Sequence, residues 1–335
     1  MIFKKNIIEQ MTERIKRINI HSKKIILFPE TEERILKAAS ILVKKRICHP
    51  LILANENKLR ITLEKLKIKN LNSENFFDYL DEKHSSDMKD YVAAFIKKMT
   101  ERGKSITTIE AEELMKKPHY YGAMMLEKGL VNGMISGITS ETKPYYPAFY
   151  IIGTKEGISR ASGIFLMIKK DNLFLFADCA LNINPTAEQL AEIAYVSAQT
   201  AVSFGIKPKI AMLSFSTHGT AKHELVDKVS KATMLLKQMD KDLIVDGEIQ
   251  FDAAIIPEVA EKKCKDSPLH GNANVLIFPD LNSGNIGYKI AERLGEYKAV
   301  GPIMQGLNKP INDLSRGCSV QDIVDLSVIT IVQSL

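Results

Sequence analysis

Three segments bring together residue types that can bind or activate an anion. The first, Ser214-Phe215-Ser216-Thr217-His218-Gly219-Thr220, joins an apolar strand-like run to a helix pattern. Exposed hydroxyls and free N–H groups at a helix start form an anion site. Simple N-capping by Ser216, Thr217 or Thr220 is the alternative reading of the same residues. The second, Pro279-Asp280-Leu281-Asn282-Ser283-Gly284-Asn285-Ile286-Gly287, is another strand-to-helix junction. Gly284 permits close backbone approach, and Asn285 can donate or accept hydrogen bonds. A tight turn without a ligand fits this segment equally. The third covers residues 301–318 and ends in Asn312-Asp313-Leu314-Ser315-Arg316-Gly317-Cys318. Ser319 then caps a last helix, with Asp322 three residues later. Asp322 reads either as a first-turn acid favoured by the helix dipole or as a functional carboxylate. Arg316 can set a cation near it, and arginine suits phosphate recognition. A tight turn would bring Ser315 within reach of both. Cys318 is either a thiol activated by Arg316 and the helix start or a packed structural thiol.

Other chemistries find no support. The second segment is neither a G-x-G-x-x-G fingerprint nor a Walker A loop. There is no G-x-S-x-G elbow, which disfavours an ordinary serine hydrolase. His218 and His223 are five apart and do not share a helical face, and Cys48, Cys179, Cys264 and Cys318 form no C-x-x-C pair. No metal is expected, and the cysteines read as free thiols in a reducing compartment.

Short apolar runs alternate with helical patterns along the chain. Ile25-Ile26-Leu27-Phe28 reads as a buried strand, followed by a helix over 32–45 and a strand over 51–54, a βαβ unit. Helices are expected over 88–101 and 108–117. Strands are expected over 133–136, 148–152, 164–168 and 173–177, the last two joined by a hairpin at Lys169-Lys170-Asp171-Asn172. A helix over 186–204, a strand over 210–214 and a helix over 220–238 follow. Strands over 243–245, 274–278 and 300–303 lead to a final helix over 319–333. Such alternation predicts an α/β/α architecture with mixed, mostly parallel sheets. Ligands of these sheets sit at the carboxyl ends of strands. The loops expected there are 214–219, Asp246-Gly247-Glu248, 279–285 and 302–317. The first 18 residues hold an amphipathic helix on Ile7, Ile8, Met11, Ile15 and Ile18.

The 335 residues suit two domains at roughly 100–200 residues each. With 45% hydrophobic and 26% charged residues, wholesale disorder is excluded. No apolar run is long enough to span a membrane. A formal charge of +6 favours anionic ligands, but the lysines and arginines are scattered among acids, so no nucleic-acid partner is expected. A signal-peptide core is absent, and a cytoplasmic location is expected.

Nearly the whole chain resembles the phosphate acetyltransferase family, which is related to the phosphate butyryltransferases. The resemblance is carried by Phe28-Pro29-Glu30-Thr31-Glu32, Tyr120-Tyr121-Gly122-Ala123-Met124-Met125, residues 174–178 and 211–216, Asp246-Gly247-Glu248, and residues 278–288 and 302–318. It implies reversible transfer of acetyl between coenzyme A and inorganic phosphate. It also implies a fold like isocitrate and isopropylmalate dehydrogenases, with two α/β domains, an interdomain cleft and a homodimer. The first domain would be discontinuous, 1–157 plus 304–335, with 158–303 as the second. By matching positions, Asp322 resembles the general base for the coenzyme A thiol, Ser315 a donor to the developing oxyanion, and Arg316 a phosphate or carbonyl binder. Ser216, Thr217, Gly284 and Asn285 are the expected substrate-binding residues. Coenzyme A is a substrate, and no permanently bound cofactor is expected. The family carries an arginine where this chain has Tyr146 in Tyr145-Tyr146-Pro147. Arg102, with Lys104 in reserve, is the candidate for a second family arginine. The Tyr146 departure leaves open a non-catalytic or impaired acyl-coenzyme A or acetyl phosphate binding protein. A preference for butyryl or another acyl group is also open.

Overall fold

The computed structural model describes residues 6–18, 24–138 and 148–335. The described strands are β1 Ile25–Phe28, β2 His49–Ile52, β3 Gly133–Ser136, β4 Ser162–Lys169, β5 Asn172–Ala177, β6 Lys209–Leu213, β7 Ile244–Ile249, β8 Val275–Ile277, β9 Lys298–Gln305 and β10 Ile311–Asp313. The helices of the first half are α1 Ile7–Ile18, α2 Glu33–Lys44, α3 Glu56–Lys65, α4 Ser85–Glu101, α5 Thr108–Met115 and α6 Pro118–Glu127. Those of the second half are α7 Ala187–Ser203, α8 Glu224–Met239, α9 Phe251–Ile255, α10 Pro257–Lys263, α11 Leu281–Arg293 and α12 Val320–Gln333. The chain divides into two units: one is Ile7–Gly153 with Leu307–Leu335, and the other contains Thr154–Gly306.

The discontinuous unit is built on a parallel sheet in the order β10-β3-β1-β2. Ile26, Leu27 and Phe28 of β1 are fully buried, as a strand covered on both faces requires. The last helix, α12, packs on α2, α1 and β3. Its buried hydroxyls bond back to its own carbonyls: Ser327 to Ile323 and Thr330 to Leu326, each at 2.7 Å. Asn312 of β10 then donates to Thr330 Oγ1 at 2.8 Å, joining strand to helix without an orphaned amide. Tyr121 of α6 lies against the rings of Tyr79 and Tyr91, with centroids 4.8 and 4.9 Å away.

The Thr154–Gly306 unit carries a six-stranded sheet in the order β7-β6-β8-β5-β4-β9. β7, β6, β8 and β5 run parallel, while β4 is antiparallel to both β5 and β9. The β4–β5 hairpin turns at Lys170-Asp171 as expected, with Lys170 at φ +53°. Buried Gln305 donates to Ser162 and Ser197 and accepts from Thr200, at 2.8–2.9 Å.

Several expectations are corrected. Residues Ala148–Ile152, expected as a strand, form a π-helical turn. The run is apolar, but a run this short carries no periodicity that separates strand from helix. β2 starts two residues before the expected strand and pairs from His49 onward with Ile25 of β1. The helix expected from residue 220 begins at Glu224, capped by His223. Asp246-Gly247-Glu248 lies inside β7 rather than after it, where the β6–β7 register shifts. The Tyr145-Tyr146-Pro147 step falls outside the described residues.

Candidate functional site

β10 delivers the chain to the turn that holds Ser315 and Arg316. Leu314 N–H donates to the Ser136 carbonyl at the end of β3, at 2.7 Å. The turn closes with Cys318 N–H on the Ser315 carbonyl at 3.0 Å, leaving both side chains of Ser315 and Arg316 exposed. Asp322 and Ser319 form a complete capping box: Asp322 Oδ2 accepts from Ser319 N–H and Oγ, each at 2.8 Å. The capping role weighed for Asp322 is therefore real, and the carboxylate sits at the start of α12 beside the turn.

Arg34 of α2, which no sequence pattern marks, fixes this turn. One guanidinium nitrogen, Nη1, donates to the carbonyls of Arg316 at 2.9 Å and Cys318 at 2.7 Å. Its Nε is held by Glu32 Oε1 at 2.9 Å. Cys318 is packed here as a structural thiol. Burial pushes it up to about 11, and Asp322 and Glu32 push the same way against Arg34. Of the two readings of Cys318, the buried position fits the packed thiol. Burial also raises Cys48, Cys179 and Cys264. All four cysteines are buried, and desolvation disfavours the thiolate of each.

Arg102 ends α4 and lies against the 150–153 segment. A Cβ placed on Gly153 would stand 2.6 Å from Arg102 Nη2. Lys104, the reserve candidate, donates to Tyr150 Oη at 2.8 Å and lies 4.3 Å from its ring centre. Both cations therefore serve the same short segment, which Asn308 also grips through the Ile152 carbonyl at 3.1 Å.

In the other unit, the predicted polar residues gather at the strand ends. Ser216 is fully buried. Its Oγ donates to Glu248 Oε1 at 3.1 Å and accepts from Ala221 N–H at 3.1 Å. Thr217 N–H donates to Thr220 Oγ1 at 3.0 Å, and Thr217 Oγ1 accepts from Gln250 N–H at 3.0 Å. These hydroxyls close a turn of their own rather than capping α8. His218, at φ +48°, sets Nε2 3.1 Å from Asp246 Oδ2. Gly284 and Asn285 are the fourth and fifth residues of α11, which Asp280 caps through Ser283 N–H at 2.8 Å. A Cβ on Gly284 would collide with the Asp178 carbonyl, and Asn285 Nδ2 donates to the Cys179 carbonyl at 3.1 Å. The Asp178 carboxylate is buried and accepts the N–H groups of Gly163, Ala180, Leu181 and Asn182 at 2.8–3.1 Å. Glu248 and Arg34 each bond backbone distant in sequence, Glu248 the Gly219 N–H and Arg34 the carbonyls of Arg316 and Cys318, and no residue spacing reports that.

This unit also has a groove of about 610 Å³ lined by Phe176, Leu213, Phe215, Leu225, Phe278 and Ile290, with Ser214, Asp280 and Ser283 as polar members. Residues of both expected ligand loops line it, among them Ser214, Phe215, Pro279 and Asp280, but Ser216, Thr217, Gly284 and Asn285 do not. Among the described residues, no group of three or more His, Cys, Asp or Glu could hold a metal.

A family model described as phosphate acetyl/butaryl transferase matches residues 6–331. The chain belongs to this family. Among its phosphate acetyltransferases, that of Bacillus subtilis (strain 168) is 45% identical over 313 residues, covering 92% of this chain and 94% of the relative. The phosphate acetyltransferase of Staphylococcus aureus (strain MRSA252) is 47% identical over 318 residues, covering 93% and 94%. A solved phosphotransacetylase from Streptococcus pyogenes matches with a TM-score of 0.90 at 44% identity, covering 98% of each chain. The mixed α/β fold with parallel-rich sheets is thus the fold of solved phosphotransacetylases.

Proposed function

We propose that this chain is a phosphate acetyltransferase, exchanging acetyl between coenzyme A and inorganic phosphate. The observation that carries the reading is the family match across residues 6–331. In the direction of acetyl-coenzyme A formation, the coenzyme A thiol gives its proton to the Asp322 carboxylate. The thiolate attacks the acetyl carbonyl, the carbon–sulfur bond forms, and the carbon–oxygen bond to phosphate breaks. Phosphate leaves with the bridging oxygen and the electron pair of the broken carbon–oxygen bond. The thiol pKa of about 8.5 is what makes a positioned base useful near neutrality. Ser315 donates to the oxygen that gains charge, and a fixed donor of this kind is worth about 3–4 kcal/mol. Arg316 takes the phosphate oxygens, and Arg102 is a second cation for the anionic substrates. Ser216, Thr217, Gly284 and Asn285, the expected substrate-binding residues, act in this reading by holding the loops of the Thr154–Gly306 unit, since Ser216 and Thr217 are fully buried and Gly284 packs on the Asp178 carbonyl. The raised pKa of Cys318 at about 11 supports transfer without a cysteine-bound intermediate.

The same proposal takes the two units as the two domains of an isocitrate-dehydrogenase-like fold with an interdomain cleft, as the resemblance implies. It further includes a homodimer and a cytoplasmic location. Among the described residues, no helix is long and apolar enough to cross a membrane. The test is thioester formation from acetyl phosphate and coenzyme A, followed by absorbance, with Asp322→Asn as control. Turnover that the variant loses is the expected result. A folded protein with no turnover at high enzyme concentration would overturn the reading.

A further inference from the structure

We propose that Glu30 is a positioning residue that sets the Ser315 turn through the Ser136–Gly137 step of the neighbouring strand. The proposal rests on the assignment of Ser315 to the reacting site.

Glu30 lies two residues past the end of β1 and is 5% exposed. A carboxylate in such a place must gain enough from hydrogen bonds to offset its lost hydration. It does so on the backbone after β3: Gly137 N–H lies 3.2 Å from both oxygens, and Ile138 N–H is 3.1 Å from Oε2. His119 of α6 adds its Nε2 at 3.5 Å from Oε1. Burial pushes the Glu30 carboxyl up, but His119 and the two N–H groups outweigh it and hold the group below its ordinary value. The charged form is therefore the one the fold keeps.

The other face of the same step touches the Ser315 turn. Ser136 gives its carbonyl to Leu314 N–H at 2.7 Å, one residue before Ser315. Gly137 sits at φ +122°, where only glycine is at ease. A Cβ there would collide with Asp313 Oδ1 and come within 2.8 and 2.9 Å of Leu314 O and N. The backbone of the step thus lies close on the Leu314 backbone, with the Asp313 carboxylate beside it. Any shift of residues 136–138 passes directly to Leu314. Beyond Ser315, Arg34 holds the carbonyls of Arg316 and Cys318. Glu30 and Arg34 are four residues apart on one segment. That segment clamps the turn from both sides, while Ser315 itself is exposed and has little packing to hold it. A reacting group must keep its geometry within a fraction of an ångström, so this support is needed for rate more than for stability.

The test is a double-mutant cycle of Glu30→Gln and Ser315→Ala, read as kcat and KM for acetyl phosphate and coenzyme A. Glu30→Gln keeps the shape but loses the charge that grips two N–H groups. It is expected to lower kcat by about tenfold, with both KM values moving less than about twofold. In the Ser315→Ala background, the same change is expected to have almost no further effect, because the group it positions is gone. Equal tenfold losses in both backgrounds would overturn the proposal, as would an unchanged kcat for Glu30→Gln when Ser315→Ala is slow. If Ser315→Ala itself keeps full activity, the site assignment has failed and the positioning role falls with it. Should Glu30→Gln not fold, Glu30→Asp carries the same cycle, since it withdraws the oxygens from the Gly137 and Ile138 N–H groups by one methylene.

Discussion

At Asp322 one carboxylate is asked to cap a helix and, in the proposed mechanism, to take a proton. Its Oδ2 is committed to Ser319 N–H and Oγ. The two roles separate by substitution. Asp322→Ala removes both, and losing the cap and its helix-dipole contribution costs about 0.5–1 kcal/mol. Asp322→Asn keeps an oxygen for Ser319 N–H but cannot accept the thiol proton. Both variants are expected to lower kcat at least about tenfold, equivalent to about 1.4 kcal/mol of barrier. Only Asp322→Ala is expected to lower the urea midpoint clearly. An Asp322→Asn enzyme with full kcat would remove the base from the mechanism. For Arg316→Ala the expectation differs: the exposed guanidinium is read as a phosphate contact, so KM for acetyl phosphate should rise several-fold while kcat changes less. Steady-state kinetics with acetyl phosphate varied at saturating coenzyme A distinguishes the two patterns.

Elements that pack on both faces or alternate cleanly could be read from sequence, and those defined by tertiary contact could not. β1 and β3 fall where their apolar runs put them, because buried parallel strands need only such runs. The Ala148–Ile152 turn defeats that rule, since aromatic and β-branched residues suit either structure. α6 carries no readable helical period because its residues from His119 to Leu126 are all buried and no polar face marks it. β10 has only three residues and is a strand by virtue of pairing with β3. The Ser319–Asp322 cap was legible because capping boxes have fixed spacing, while Glu30 and Arg34 act on distant backbone and leave no local pattern. The start of α11 offers a test of tight packing between elements. Gly284 meets the Asp178 carbonyl where the chain leaves β5, so Gly284→Ala must push the helix off the strand end. Overpacking of this kind costs about 1–3 kcal/mol. Urea unfolding followed by circular dichroism should show a lower midpoint. A midpoint equal to that of the parent would mean that α11 shifts freely, and that its first turn is not held as described.

Across the whole molecule, the neutral acids of the core set the alkaline limit of stability. Each unit buries a thiol, Cys48 at 5% exposure in one and Cys179 at 0% in the other, and burial raises both. Burial also pushes Cys318 up to about 11 and Tyr79 and Tyr91 up to about 12. A group raised in this way prefers its proton in the folded chain. Its contribution is whole below the unfolded value, about 9.0 for a thiol and 10.0 for a phenol. Above that pH the unfolded chain releases the proton first, and stability falls until the folded value is reached. Each well-buried thiol adds a slope of about 1.4 kcal/mol per pH unit in that window. Glu30 acts with the opposite sign: its value is lowered, so its contribution is present at neutral pH and is lost as pH falls through the folded value. The urea midpoint is therefore expected to hold steady between about pH 7 and 8.5 and then drop steeply by about pH 10. The double variant Cys48→Ala, Cys179→Ala should be less stable at neutral pH from lost packing, yet show a shallower alkaline decline. If parent and variant lost stability in parallel above pH 9, the decline would belong to Cys264, Cys318, the tyrosines and the surface lysines instead of Cys48 and Cys179.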